Sequence, residues 1–112
     1  MDLRVARALK AMREAPAAAW SVSRLAKLSG ASRASFSRLF QRATGKSPKR
    51  WLREHRLELA AARLVSTNET LAELATHVGY VSEFALSRAF KRYHGVAPAR
   101  YREGALTLRC AA

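Results

Sequence analysis

An all-α fold is what this sequence predicts, and three observations predict it. Apolar residues recur at i, i+3, i+4 and i+7 through most of the 112 residues, which is the buried stripe of a helix. Serine, threonine or aspartate stands at the start of most such stretches, and their side-chain oxygens cap helix N-termini. Proline and glycine are scarce, and no run alternates apolar and polar residues as a half-buried strand does. The stretches also repeat. Leu25-Ala26 and Leu74-Ala75 are 49 positions apart, as are Gly30 and Gly79. One extra residue in the second turn then makes the offset 50, so that Ser32, Ser37, Arg38, Phe40, Arg42, Gly45, Pro48 and Arg50 match Ser82, Ser87, Arg88, Phe90, Arg92, Gly95, Pro98 and Arg100. Two short helices around a glycine turn form a helix-turn-helix unit. The expected architecture is therefore about seven helices in one domain, 1–112: a first helix-turn-helix subdomain at 19–47, a long linker helix at 48–67, a second subdomain at 69–103 and a tail at 104–112.

Each element has its own signal. Asp2 caps a first helix with Val5, Ala6, Leu9 and Met12 inward, and Pro16 closes it. Ser21 caps a second, with Val22, Leu25, Ala26 and Leu28 inward, up to Gly30. Ser32 caps a third, with Phe36, Leu39, Phe40 and Ala43 inward, ending at Gly45. Pro48 stands where proline is tolerated at a helix start, and the long helix runs to Ser66, with Asn68 as its stop. Thr70 and Glu73 form a capping box for a fifth helix, with Leu71, Leu74, Ala75 and Val78 inward and Gly79 ending it. Ser82 caps the sixth, whose apolar set is Leu86, Ala89, Phe90 and Tyr93. Pro98 opens a last helix expected to stop at about Glu103.

Composition narrows the function. With 21 Lys+Arg against 8 Asp+Glu, the formal net charge is +13. That excess costs self-repulsion unless the partner is a polyanion, while 49% hydrophobic residues is too many for a disordered basic tail. Nothing at the N-terminus reads as a signal peptide and no apolar run approaches a membrane span. The single cysteine, Cys110, cannot form an internal disulfide, and His55, His77 and His94 lack metal-ligand spacing. No serine has a plausible base-and-acid partner, and no glycine-rich phosphate loop or paired carboxylate stands out. No enzyme, metal or cofactor is expected. The aromatics Trp20, Trp51, Phe40, Phe90, Tyr93 and Tyr101 read as packing residues.

The second unit and its flank, LAELATHVGYVSEFALSRAFKRYHGVAPARYR, resemble the signature of the AraC/XylS-type DNA-binding domain, and WSVSRLAKLSGASRASFSRLFQRATGKSPKRWL resembles its companion. The resemblance covers about residues 2–103. It implies a cytoplasmic bacterial transcription regulator, associated with the nucleoid when bound, that contacts double-stranded promoter DNA and RNA polymerase. It also implies an N-terminal sensor domain outside this sequence, and an isolated domain that is monomeric. At ~1.5 Å per residue the linker helix spans about 28 Å, near the ~34 Å between successive major-groove openings on one duplex face. One chain can thus be expected to read two adjacent grooves.

On the third helix, the face opposite Phe36 and Phe40 carries Ala34, Ser37, Arg38 and Gln41. The resemblance places Ala34, Ser37 and Arg38 at base-reading positions. Arg38 suits guanine, Gln41 suits adenine, and the Ala34 methyl can touch a thymine methyl. On the sixth helix the corresponding set is Phe84, Ser87 and Arg88, with Glu83 able to accept from a cytosine amine. Phosphate contacts are expected from Ser32, Arg33, Arg42, Lys49, Arg50, Arg56, Ser82, Lys91 and Arg92, together with helix N-termini near Val22, Leu71 and Pro98. Two rivals remain open: a non-specific architectural protein that coats nucleic acid through charge, and a basic amphipathic protein on anionic membranes.

Overall fold

The computed structural model describes residues 1–111, with side chains as far as Leu106, so the Cys110 side chain lies outside the described residues. Among them the order is α1 (Leu3–Glu14), α2 (Val22–Ser29), α3 (Arg33–Thr44), α4 (Pro48–Ser66), α5 (Leu71–Val78), α6 (Glu83–His94) and α7 (Pro98–Ala111), with no strand. The expected caps at Ser21, Ser32 and Ser82, and an unanticipated one at Ser47, set these starts. The Oγ atoms of Ser21, Ser32, Ser47 and Ser82 accept from the backbone N–H groups of Arg24, Ser35, Arg50 and Ala85 at 3.1, 3.2, 3.2 and 3.1 Å. Thr70 and Glu73 form the reciprocal capping box that starts α5. Gly30 and Gly79 end α2 and α5 at φ +75° and +100°, where a side chain would be strained.

The chain divides into two compact units, Met1–His55 and Arg56–Ala112, and the division falls inside α4. In the first, Val5, Ala8, Leu9 and Met12 of α1 meet Leu25 and Ala26 of α2, Phe36 and Phe40 of α3, and Leu52 of α4. In the second, Leu57, Ala60, Ala61 and Leu64 of α4 meet Leu74, Ala75 and Val78 of α5, and Leu86 and Phe90 of α6. Each fully buried Val, Leu, Met or Phe side chain among these contributes roughly 1.5–3 kcal/mol, and the alanines less. The two phenylalanines of α3 pack at 5.7 Å between ring centroids, and Phe90 meets Tyr101 of α7 edge-on at 5.4 Å.

Several inward positions differ from those the sequence predicts. Ala8, not Ala6, is buried. At ~100° per residue it lies nearer the Val5–Leu9–Met12 direction. On α2 the buried set is completed by Ser29, while Leu28 is 48% exposed. The Ser29 hydroxyl donates to the Leu25 carbonyl at 2.8 Å, which removes the penalty of burying it. Ala43 is exposed because the α3 core contact ends at Phe40. Tyr93 is 42% exposed, with its O–H donating to Glu58 at 2.8 Å. Its ring packs edge-on against His94 while its polar tip stays at the rim. Helix α7 continues past the expected stop at Glu103 to Ala111. The Pro98 end is anchored by the buried proline, and a single Gly104 costs only about 1 kcal/mol against good helix formers such as Ala105 and Leu106.

Candidate nucleic-acid interface

Helix α3 follows the Gly30 turn and is held by Phe36 and Phe40, both 0% exposed. Burying those two rings fixes the rotation of the helix, and the rotation sets what its other face offers. Ala34, Arg38 and Gln41 are exposed there and Ser37 is half-buried. Ser37, Arg38, Gln41 and Arg42 line one open groove. A second shallow groove beside it is lined by Arg4 of α1 with Ser35, Arg38, Leu39 and Arg42. The exposed face of α3 carries no acidic residue. Arg33, Arg38 and Arg42 have no ion pair among the described residues.

Helix α6 follows the Gly79 turn and is held in the same way by Leu86 and Phe90, both 0% exposed. Phe84 is 71% exposed, so it does not tuck into a neighbouring helix. Arg88, Lys91 and Arg92 are exposed, Ser87 is half-buried, and Glu83 sits in the first turn, where a carboxylate complements the helix dipole. Arg88 and Lys91 likewise have no ion pair among the described residues.

Three acidic residues, Glu54, Glu69 and Asp2, are paired away from the exposed faces of α3 and α6. Glu54 accepts from Lys46 Nζ at 2.6 Å and Arg50 Nε at 2.8 Å. The Lys46 hydrogen bond, followed by that of Arg50, holds its carboxyl down at about 2. Glu69 accepts from Arg63 Nε at 2.7 Å and Thr67 Oγ1 at 3.0 Å and also pairs with His77, and its carboxyl too is held at about 2, chiefly by Arg63. Asp2 caps α1 and pairs with Arg4 at 3.0 Å.

The expected phosphate contacts therefore fall into groups. Arg33, Arg42, Lys49, Lys91 and Arg92 are exposed. Ser32 and Ser82 accept the cap hydrogen bond through Oγ, which leaves each O–H able to donate. Arg50 is committed to Glu54. Arg56 is half-buried, and burial pulls its guanidinium down from the usual value. Neither of these two stands as an uncommitted cation: Arg50 is claimed one helical turn along α4 by Glu54, an i,i+4 pair, and Arg56 by burial that only the tertiary fold creates. Two residues went unnoticed in the sequence. Arg4 lines an α3 groove only because α1 folds beside α3, so nothing local marks it. Val81, 96% exposed, had a signal in the register shift of the repeat.

The aromatics behave as packing residues. Trp20 and Trp51 pack against the first core. Trp20 Nε1 donates to the Ala15 carbonyl at 2.8 Å under the Arg24 guanidinium, and Arg13 lies 5.4 Å from the Trp51 ring. His94 is wedged against Phe90 and Tyr101, with Nε2 3.0 Å from the Leu57 carbonyl. No described helix is long and apolar enough to cross a membrane.

Comparison with known proteins agrees with this geometry. A family model described as a helix-turn-helix domain matches residues 25–104. An AraC-like transcription regulator named in Streptomyces lividans is 43% identical over 99 residues, which is 88% of this chain and 33% of the relative. The RCS-specific transcriptional activator RclR of Escherichia coli K12 is 37% identical over 100 residues, 89% of this chain and 35% of the relative. The chain thus spans about a third of the length of the curated relatives it matches. The DNA-binding domain of AdpA, solved with a target DNA, superposes with a TM-score of 0.91 at 29% identity, over 97% of this chain and 98% of that one. The C-terminal domain of AraT from Geobacillus stearothermophilus gives 0.87 at 30% identity, over 92% and 86%. These relatives are regulators and DNA-binding domains rather than enzymes. The chain belongs to the helix-turn-helix family of AraC-type transcription-regulator DNA-binding domains.

Proposed function

We propose that this chain is the output part of a transcription regulator that recognises a specific double-stranded promoter sequence, with α3 and α6 each reading a major-groove segment of one duplex. One observation carries the reading. Each of these helices is locked by a fully buried pair, Phe36 with Phe40 or Leu86 with Phe90, and presents an exposed arginine, Arg38 or Arg88, that no carboxylate claims among the described residues. A guanidinium left free on a rotationally fixed helix is suited to bidentate contact with guanine O6 and N7. Arg33, Arg42, Lys49, Lys91 and Arg92 position the protein on phosphates, which fixes register without carrying sequence information. The rest of the regulator supplies the sensor domain, and RNA polymerase is the partner once DNA is bound, inside the bacterial cytoplasm.

Selection of bound sites from a random duplex library tests this. Two short blocks about one helical turn (~10 base pairs) apart are expected. A ratio near one between selected and bulk DNA would instead identify an architectural coat.

A further inference from the structure

The second turn of the repeat holds one residue more than the first, and the backbone shows which one. Ala31 N–H donates to the Ala26 carbonyl at 3.0 Å, and Tyr80 N–H donates to the Ala75 carbonyl at 2.8 Å. Tyr80 is therefore the counterpart of Ala31, and each packs against the core of its own unit. Val81 is the insertion. It occupies the position just before the Ser82 cap, where an apolar side chain ordinarily closes onto the fourth helical residue, here Leu86. It does not do so: Val81 is 96% exposed while Leu86 is fully buried without it. Three positions on, Phe84 is 71% exposed.

A β-branched aliphatic and a phenylalanine are thus held in solvent at the N-terminal end of α6, with no task in the core. A lone exposed apolar residue needs no explanation, but two at one helix end do. That end is the part of a reading helix that meets base edges. Glu83 stands between them, but Arg88, Lys91 and Arg92 follow on the same helix in a protein of charge +13, a balance that favours a polyanion as the surface meeting this end. The only apolar group on the major-groove edge of a base pair is the thymine 5-methyl. We propose that Val81 and Phe84 form an apolar tip through which the second unit reads thymine methyl groups. The first unit has no equivalent, since Ala31 is packed and Ala34 offers one methyl.

This rests on the DNA-binding function proposed above and is tested at single-methyl resolution. In the duplex selected by the wild-type protein, each thymine of the block read by the second unit is replaced in turn by deoxyuridine, which pairs identically but lacks the methyl. One or two positions are expected to weaken binding about fourfold each. In the Val81→Ser/Phe84→Ser variant that penalty disappears, while preference in the block read by the first unit is retained. An unchanged helical circular dichroism melt shows that the variant folds, as expected for two solvent-exposed side chains. A wild type that prefers its selected duplex yet ignores every deoxyuridine overturns the methyl reading and leaves specific binding intact. A penalty that persists in the double variant assigns the methyl to another residue and also overturns it. A double variant that matches the wild type in affinity and preference overturns it as well and leaves the tip to a protein partner. A wild type with no preferred duplex overturns both.

Discussion

Arg38 and Glu54 are opposite fates of a charged side chain in this protein. Arg38 is exposed and unclaimed among the described residues, on a helix whose rotation Phe36 and Phe40 fix. Its removal should cost about 1–3 kcal/mol of discrimination at one base position and flatten preference there, while the fold is untouched. Binding of Arg38→Ala to the selected duplex and to single-position permutations checks this, and uniform weakening across all of them would make Arg38 a phosphate contact. Arg88→Ala should act likewise at a different position. Glu54 is the reverse case, clamped between Lys46 and Arg50. Its folded value of about 2 lies below the ordinary 4.5, so protonation favours the unfolded chain. The clamp's contribution is present above about pH 4.5 and is lost as pH falls toward about 2. Glu54→Gln should therefore be less stable than wild type at pH 7, with the gap closing through that window. Urea midpoints at stepped pH measure it. Glu69, which titrates over the same range, is common to both proteins and cancels in the comparison.

At the scale of elements, local chemistry sets where helices begin and tertiary packing sets which way they face. Thr70→Ala removes the side-chain arm of the α5 capping box, the Oγ1 that accepts from the Glu73 N–H, and should cost about 1 kcal/mol, with an unchanged denaturant slope. Phe90→Ala should cost about 3–5 kcal/mol, because a ring at 0% exposure leaves a cavity among Leu57, Leu86, His94 and Tyr101. Chemical denaturation of the two variants separates a cap from a core. The same distinction explains what could be read in advance. Caps and glycine stops lie within four residues of the ends they set, so the starts at Val22, Arg33, Leu71 and Glu83 were legible from neighbours alone. The choice between Leu28 and Ser29 was not, because composition favours leucine and only the Leu25 carbonyl, one turn back, makes the buried serine acceptable. Arg56 read as a surface cation for the same reason, since its burial is assembled by folding, whereas the i,i+4 spacing of Arg50 and Glu54 already marked Arg50 as a paired cation. The exposed faces of α3 and α6 were legible because each is the complement of a buried pair, Phe36 with Phe40 or Leu86 with Phe90.

For the molecule as a whole, the governing quantity is how much of the +13 charge remains available to a polyanion. Counting every phosphate candidate in the sequence would overstate it, since Glu54 holds Arg50 and Arg56 is half-buried. That leaves about five cations, Arg33, Arg42, Lys49, Lys91 and Arg92, and each displaces roughly 0.9 counterion from a duplex. The expected slope of log affinity against log salt is then about −4.5, so affinity should fall about 500-fold between 50 and 200 mM salt. Had Arg50 and Arg56 joined them, the slope would be about −6.3 and the loss several thousand-fold. Titrating one selected duplex at four or five salt concentrations distinguishes these values. Arg42→Gln should reduce the slope by about 1 and weaken all sequences alike, whereas Arg50→Gln should leave the slope where it was. A slope that moves with Arg50 would mean that DNA draws this arginine away from Glu54.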